Sequence, residues 1–359
     1  MKKRLLFFII PLIALFTSCG PEFPEPEEFP FDVVKDSTFM LGNLECNVKS
    51  IGIHYPDEVC IINEEQSAIL DDSAIYLFVH SEQSKVRVYK SDILLTSVSF
   101  HYQNLGFVSG YRYAIKNGKH VFTSVILSSK DQGLSWTEIA SFKDMIYRKI
   151  YFLSADVGFI IHTIGSFSVG TSTKYISKSV DGGHNWKVID SINNCNWVED
   201  IKFSDSMNGY IFGHYYRTNS ELNRFVIRTN DAGDTWMKVL NKPHIYDYQI
   251  VANNIEYYSD GAFIYRSTDN GKSWKSEPKK GNLYFFDKDF ALLTNRYCIN
   301  WSCWGADCVT NIELTKDAFL NSDTFNGYKY FPAFFECWKT FGTRKIGLSK
   351  THVVYIASK

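Results

Sequence analysis

Four aspartates stand in one repeated setting. Asp131, Asp181, Asp231 and Asp269 each follow a Ser or Thr by two positions and precede a Gly by two and a Trp by five, in segments 129–136, 179–186, 229–236 and 267–274. Carboxylates brought together in pairs can serve as general acid and base, so four of them invite a catalytic reading. Their separations of 50, 50 and 38 residues argue otherwise, because one carboxylate per structural unit, held at the unit's periphery, cannot converge on a substrate. The setting makes better sense as a tight turn. Asp and Ser/Thr side chains can satisfy backbone N–H groups inside it, Gly supplies a left-handed backbone, and Trp buries its ring on the neighbouring strand. Asp131, Gly133, Trp136, Asp181, Gly183, Trp186, Asp231, Gly233, Trp236, Asp269, Gly271 and Trp274 are therefore read as structural.

The cysteines are the next candidates. Of eight, Cys19 has a separate role described below, and the odd number that remains leaves at least one thiol free or paired between chains. Cys298, Cys303 and Cys308 crowd one segment. A zinc reading would need a fourth ligand and closer pairs, so a local disulfide among the three is the expectation, with its connectivity open. No His-Glu-x-x-His, Gly-x-Ser-x-Gly, phosphate-cradling loop or paired-carboxylate motif occurs. No catalytic residue, metal or cofactor is assigned.

The elements that carry these residues follow from a second register. An apolar residue is followed six positions later by Gly or a small residue and then by another apolar one, at Phe100/Gly106, Phe152/Gly158, Phe203/Gly209, Phe285/Ala291 and Phe341/Gly347, with looser versions starting at Ile53 and Ile250. The two registers together count seven units. Within the third, segments 148–154, 158–163, 174–179 and 186–190 are short and rich in Ile, Val, Phe and Tyr, which predicts a four-stranded meander with the repeated turn between its third and fourth strands. Radial repetition of such sheets predicts an all-β chain, a seven-bladed β-propeller of four-stranded antiparallel blades. The last unit ends after three strands. Segment 31–43 is expected to supply the fourth and close the ring with an N-terminal strand, since an open sheet edge would be sticky.

The octapeptides resemble the Asp-box (BNR) repeat, whose superfamily includes sialidases, sortilin-type receptors, two-propeller xyloglucanases and photosystem II assembly/stability factor-like propellers. The resemblance covers roughly residues 45–359, and the last group looks closest in size and layout. It implies the fold strongly and the function loosely, because one turn serves hydrolases and binders alike. A sialidase-like fold with sialidase activity would require Arg-Ile-Pro near the start, which is absent, and three arginines on a substrate carboxylate. A xyloglucanase needs two propellers, and the chain has length for one.

The start of the chain has its own logic. Lys2, Lys3 and Arg4 precede an apolar run at 5–16, too short for the ~20 residues of a spanning helix and suited to a signal peptide. Thr17-Ser18-Cys19-Gly20 resembles a bacterial lipobox. Residues 1–18 are thus expected to be a lipoprotein signal peptide, with an ordinary signal peptide as the alternative, and Cys19 the lipidated residue that holds the body on a membrane. Residues 19–30, rich in Pro and Glu, read as a spacer, and 31–359 as the propeller. The acidic spacer resembles segments that send some bacterial lipoproteins to the cell surface. Lys plus Arg number 38 against 39 acidic residues, so no net field recommends nucleic acid as a partner.

In such blades the repeated turns mark one face, and the freer loops gather on the other. Trp197, Tyr215, Tyr216, Arg217, Tyr246, Trp301 and Trp304 fall there and form the candidate binding face, where flat amphipathic side chains would suit a sugar ring or a peptide. The expected protein is an exported outer-membrane lipoprotein on the periplasmic or cell-surface side, a non-enzymatic binding or assembly scaffold for envelope protein or glycan. The alternatives are a glycan-active hydrolase, sialidase-like or another glycosidase, and a purely structural envelope component. A close acidic pair or a three-Arg cluster in the central depression on the face opposite the repeated turns would mark the hydrolase; an aromatic, roughly neutral depression there would mark the binder.

Overall fold

A computed structural model describes residues 37–358 except 42–43, 52–55, 83, 102–103, 165–171, 216–222, 246, 253–254, 261, 278, 280, 286–290, 303–304, 316–321, 329–336, 342–343 and 350–351. The signal peptide, Cys19 and the spacer lie outside the described residues. Every regular element among those described is a β-strand, and all pair antiparallel with their neighbours.

The strands form a propeller, but the expected seven-bladed ring of separate four-stranded blades is not what the pairing shows. Among the described residues there are six sheets. Four of them are a closing sheet that joins the two ends of the chain and the sheets beginning at Glu58–Ile61, Leu94–His101 and Asp247–Ala252. Two further sheets complete the set: one of four strands from Asn282–Phe285 to Ser322–Tyr328, and one of seven from Met145–Phe152 to Met237–Pro243. The seven-stranded sheet arises because the strand predicted over 186–190 does not stop there. It runs as Lys187–Phe203, pairing first with Ser172–Ser179 and then with Gly209–Tyr215. Asn194, with φ of 56°, turns the chain in mid-strand, and the register slips beside Cys195. A left-handed residue with a bulge bends a strand without breaking its pairing, so two repeat units share one sheet.

Asp144 and His244, with φ of 56° and 62°, are left-handed too, but there the strands end and the neighbouring units fall in separate sheets. These positions, with Asn194 between them, fall 50 residues apart. Asp, Asn and His are the residues with side chains that best tolerate the left-handed region.

The closure also differs from the expectation. Leu44–Ser50 pairs with the last strand, His352–Ser358, and Ser37–Leu41 within the predicted segment adds a fifth strand outside it. Cys46 and Val48 alternate inward as buried residues while Ser37–Leu41 carries exposed Thr38 and Met40, so burial places the inner of the two strands.

The six-residue register has a direct cause. Phe100 lies opposite Gly106, Phe152 opposite Gly158 and Phe203 opposite Gly209 in the hairpin pairing. A Cβ on any of these three glycines would come within 2.6–2.7 Å of the facing ring. The looser start at Ile53 is misplaced: the first hairpin opposes Ile61 to Ser67, and Ile53 lies outside the described residues. In the last unit Phe341 faces Arg344, and Gly347 faces Trp338.

The repeated turns share their Asp and Ser/Thr bonds, and the Trp–Gly bond is made in the first, second and fourth, while Trp236 Nε1 in the third is buried without a partner among the described residues. In the first, Asp131 Oδ1 accepts from Ser129 Oγ at 2.8 Å and from Ser135 N at 2.9 Å, Ser129 Oγ accepts from Gly133 N at 2.8 Å, and Trp136 Nε1 donates to Gly133 O at 2.9 Å. Two consecutive residues are left-handed in each: Gln132/Gly133, Gly182/Gly183, Ala232/Gly233 and Asn270/Gly271. The tryptophans meet the phenylalanines of the six-residue register edge-on, as in Phe100 with Trp136 and Phe152 with Trp186, which joins the two sequence registers into one packing unit.

The turn's second left-handed position is the more demanding. A Cβ on Gly233 would sit 2.4 Å from two Phe159 ring atoms at φ of 80°, whereas one on Gly182 would meet only Ala155 O at 3.5 Å. Gly233→Ala is expected to cost about 2–4 kcal/mol, from left-handed strain plus overpacking, and Gly182→Ala about 1 kcal/mol or less, as Gln132 and Ala232 already occupy that position. Urea midpoints of the two variants check this, and equal losses would contradict it.

Candidate functional site

The innermost strands of the sheets face a common axis, and their alternation decides what lines it. Glu58 and Cys60, Ser97 and Ser99, Lys149 and Tyr151, and Asp200 and Lys202 are i, i+2 pairs that border a central cavity of about 410 Å³, completed by Gln249, Trp338 and Lys339 among others. Most of these residues belong to the halves of the inner strands nearest the repeated turns.

Neighbouring strands are stitched at this seam by side chains. Ser97 Oγ accepts from Ile150 N at 3.3 Å and Ser99 Oγ from Phe152 N at 3.0 Å. Gln249 spans the next gap, donating to Leu283 O and accepting from Phe285 N. Trp338 Nε1 donates to Phe285 O, which ties the closing sheet to its neighbour.

The charges in the cavity are engaged with one another or with the backbone. Lys149 Nζ donates to Glu58 Oε1 at 3.1 Å, and Ser97 Oγ donates to the same oxygen at 3.2 Å. Lys202 Nζ lies 2.6 Å from Asp200 Oδ2 and 4.5 Å from the centre of the Trp338 ring. Lys339 Nζ donates to Ile61 O at 2.6 Å. Burial pushes the Glu58 carboxyl above its ordinary range, with Asp200 adding to the effect and Lys149 and Ser97 opposing it. Burial likewise pushes the Tyr151 hydroxyl up to about 12 and raises the Cys60 thiol. Among the described lining residues three lysines thus offset two carboxylates and no Arg occurs, and Trp338 supplies a flat wall. Such an arrangement offers hydrogen bonds and a slight positive field.

The repeated-turn carboxylates stand apart from this cavity, each bound within its own turn. Hydrogen bonds from Asn185 and Ser179 hold Asp181 at about 2, and those from Ser273 and Ser267 do the same for Asp269.

Of the sequence-predicted binding residues, Trp197 is exposed and borders a second cavity of about 360 Å³ together with Tyr111, Arg148, Asp57 and Asp72. This cavity lies at the opposite ends of the inner strands. Tyr215 is half-buried, tilted against Phe225 with ring centres 4.7 Å apart, and Lys238 Nζ lies 4.7 Å from its ring centre. Tyr216, Arg217, Tyr246 and Trp304 lie outside the described residues, as does the side chain of Trp301. The predicted loop at 300–308 belongs instead to a long hairpin, Ala291–Ser302 with Gly305–Thr315, in which Cys298 opposes Cys308. Cys303 and the side chains of the other two lie outside the described residues. Cys46, Cys60 and Cys195 are free thiols, and burial pushes Cys46 and Cys195 up to about 12. Among the described residues no three His, Cys, Asp or Glu side chains gather as metal ligands.

The central cavity was missed in the sequence because its residues are ordinary strand residues. The available signal was the polar alternation within inner strands, Glu58-x-Cys60, Ser97-x-Ser99, Lys149-x-Tyr151 and Asp200-x-Lys202, at positions where a buried strand would carry Val or Ile.

Fold and cavity together define an all-β propeller with a polar axial pocket. The chain resembles YCF48, in its structure bound to a D1 peptide, with a TM-score of 0.60 at 15% identity over 90% of this chain and 100% of that one. It also resembles the GH74 enzyme of Niastella koreensis, with a TM-score of 0.56 at 10% identity over 85% of this chain and 51% of that one. A chain of the mitotic checkpoint complex gives 0.54 at 11% identity over 99% of both. At these identities the likeness is one of fold. No family profile matches the sequence, and no curated protein does.

Proposed function

We propose that this chain is a non-enzymatic propeller scaffold that binds a segment of another protein at the central cavity. The observation that carries the reading is the pairing inside the cavity. Glu58 is held by Lys149, and Asp200 by Lys202, so neither carboxylate is placed as a general base beside an acid partner, and among the described lining residues the lysines outnumber the acids by one. Most glycosidases set two carboxyl groups across the substrate. The resemblance to YCF48, a propeller whose structure holds a peptide, supports the same reading. The slight positive excess and the Trp338 wall suit a segment carrying an acidic and an apolar side chain. In the same reading the chain is exported and held on the outer membrane through lipidated Cys19, with the Pro/Glu segment as its spacer and an envelope protein as its partner.

The test is selection from a displayed random-peptide library with the full chain. Wild type is expected to enrich acidic peptides, and Lys202→Glu to weaken the selected peptides roughly tenfold, the equivalent of about 1.4 kcal/mol. Turnover of any member of a chromogenic glycoside panel, or enrichment unaffected by Lys202→Glu, would overturn the proposal.

A further inference from the structure

The second cavity lies at the ends of the inner strands remote from the repeated turns, where Leu94, Arg148 and Trp197 begin the inward run of three successive units. Trp197 is 44% exposed, and Leu94 beside the cavity is 42% exposed. The other described tryptophans, Trp136, Trp186, Trp236, Trp274 and Trp338, are at least half-buried and pack in the repeated turns or the seam. Trp197 is therefore the one described indole presented to solvent, and it borders a cavity.

We propose that this second cavity binds a single neutral sugar ring, stacked on the Trp197 indole and hydrogen-bonded by the charged side chains around it. Three observations select that ligand class. The first is the platform: a flat apolar face held in place by the Arg148 guanidinium, whose carbon lies 5.1 Å from the ring centre. Cation–π contact fixes the indole's orientation and so lowers the entropy lost when a ligand stacks on it.

The second is mixed charge. Arg148 stands with Asp57 and Asp72 around one small volume. An anionic ligand meets the two carboxylates and a cationic one meets the guanidinium. A neutral polyol meets neither penalty, since its hydroxyls donate to carboxylates and accept from guanidinium and from Tyr111. The third is size. At about 360 Å³ the cavity stands at the small end of ligand pockets, which leaves room for one sugar ring. The Asp57 carboxylate and the Asp72 backbone are set by the fold, because Asp72 N donates to Asp57 Oδ2 at 2.6 Å and Asp72 O accepts from Leu95 N at 2.8 Å.

This site is separate from the central cavity, and its failure would leave the peptide reading standing. The test uses the full chain on an array of neutral hexose and N-acetylhexosamine oligosaccharides, with uronic and sialic acid oligosaccharides and peptides alongside. The best neutral binder is then titrated calorimetrically. The expected result is binding weakened about tenfold or more by Trp197→Ala, partly restored by Trp197→Phe, and unchanged by Lys202→Glu. Trp197 is exposed, so thermal melting of Trp197→Ala should match wild type. Absence of any neutral-sugar binding at millimolar concentration would overturn the proposal. Sugar binding indifferent to Trp197→Ala, or Trp197-dependent binding confined to peptides or acidic sugars, would do the same.

Discussion

Glu256→Ala is expected to lower the unfolding free energy by about 3–5 kcal/mol, the cost of stranding a buried charge. Glu256 is 0% exposed, on the strand Ile255–Ser259. It occupies the place that Gly106, Gly158 and Gly209 hold in other units, opposite Ile250 where those units have Phe. The smaller apolar partner makes room for a carboxylate. That carboxylate receives the Arg228 guanidinium on one oxygen and the Tyr248 hydroxyl, at 2.6 Å, on the other. Arg228 lies in the seven-stranded sheet and Glu256 in the next, so the pair clamps a seam. Burial raises the Glu256 carboxyl, against the opposing pull of Tyr248 and Arg228.

Removing the carboxylate leaves the 5%-exposed Arg228 with Asn208 Oδ1, at 3.3 Å, as an acceptor too weak to replace it. One repeat earlier, Lys178 also reaches across to the next unit, binding Asp234 Oδ1 at 2.7 Å and Ala232 O at 2.9 Å. Asp234 is exposed there, so Asp234→Ala should cost no more than about 1 kcal/mol. Urea unfolding of the two variants decides the matter. The double replacement Arg228→Met with Glu256→Met should recover most of the loss, because it removes both charges at similar volume. A loss under about 1 kcal/mol for Glu256→Ala would mean that the clamp does not bear on stability.

Glu256 also shows where sequence reading runs out. The repeated turns were legible because their chemistry is local: a carboxylate, a hydroxyl residue and a left-handed glycine satisfy one another within eight residues. The hairpin register was legible for a related reason, since Phe and Gly six positions apart face each other directly. Ile250 followed by Glu256 fits that spacing while breaking its chemistry, and only the arrival of Arg228 from another sheet explains it. The number of sheets was not legible. It turned on pairing that continues past left-handed Asn194 in Lys187–Phe203, whereas it stops at Asp144 and His244, and an Asn in a polar stretch reads as a loop. The central cavity was hidden for the opposite reason. Its lysines, serines and carboxylates come from separate inner strands, and no segment holds enough of them to stand out. In the sequence Trp197 reads as an aromatic in a loop. The structure puts it in a strand, and its companions Arg148 and Tyr111 were not selected, because each occupies an ordinary strand position and only sheet packing brings the three together.

The second large effect expected is acid destabilisation between about pH 6.5 and pH 4. His80 and His162 are 5% and 2% exposed, and burial pushes both imidazoles down to about 4. His80 Nδ1 is 3.0 Å from Glu64 O and its Nε2 is 2.8 Å from Ser67 Oγ. A carbonyl only accepts, so Nδ1 carries the proton and Nε2 accepts from the serine, which is a neutral ring with both nitrogens satisfied. His162 Nε2 pairs with Ser177 Oγ at 2.9 Å, and its ring lies against Tyr147 and Tyr175. In the unfolded chain both rings titrate near 6.5. Between the two values the unfolded state binds more protons, so stability is full above about pH 7, falls as pH drops and stops falling from this source below about pH 4. Each histidine can contribute roughly 3 kcal/mol to the loss, a large share of the about 5–15 kcal/mol that holds a domain together. Glu58 and Glu256, with carboxyls raised by burial, act in the opposite direction and offset part of it. The turn carboxylates Asp181 and Asp269, held at about 2, keep their contribution throughout this window and lose it only as pH falls from about 4 to about 2. Urea midpoints from pH 7.5 to 4.5 should therefore decline in wild type and decline less in a His80→Gln, His162→Gln double variant. A flat wild-type profile, or identical slopes in the two proteins, would show that the buried imidazoles are not what acid attacks first.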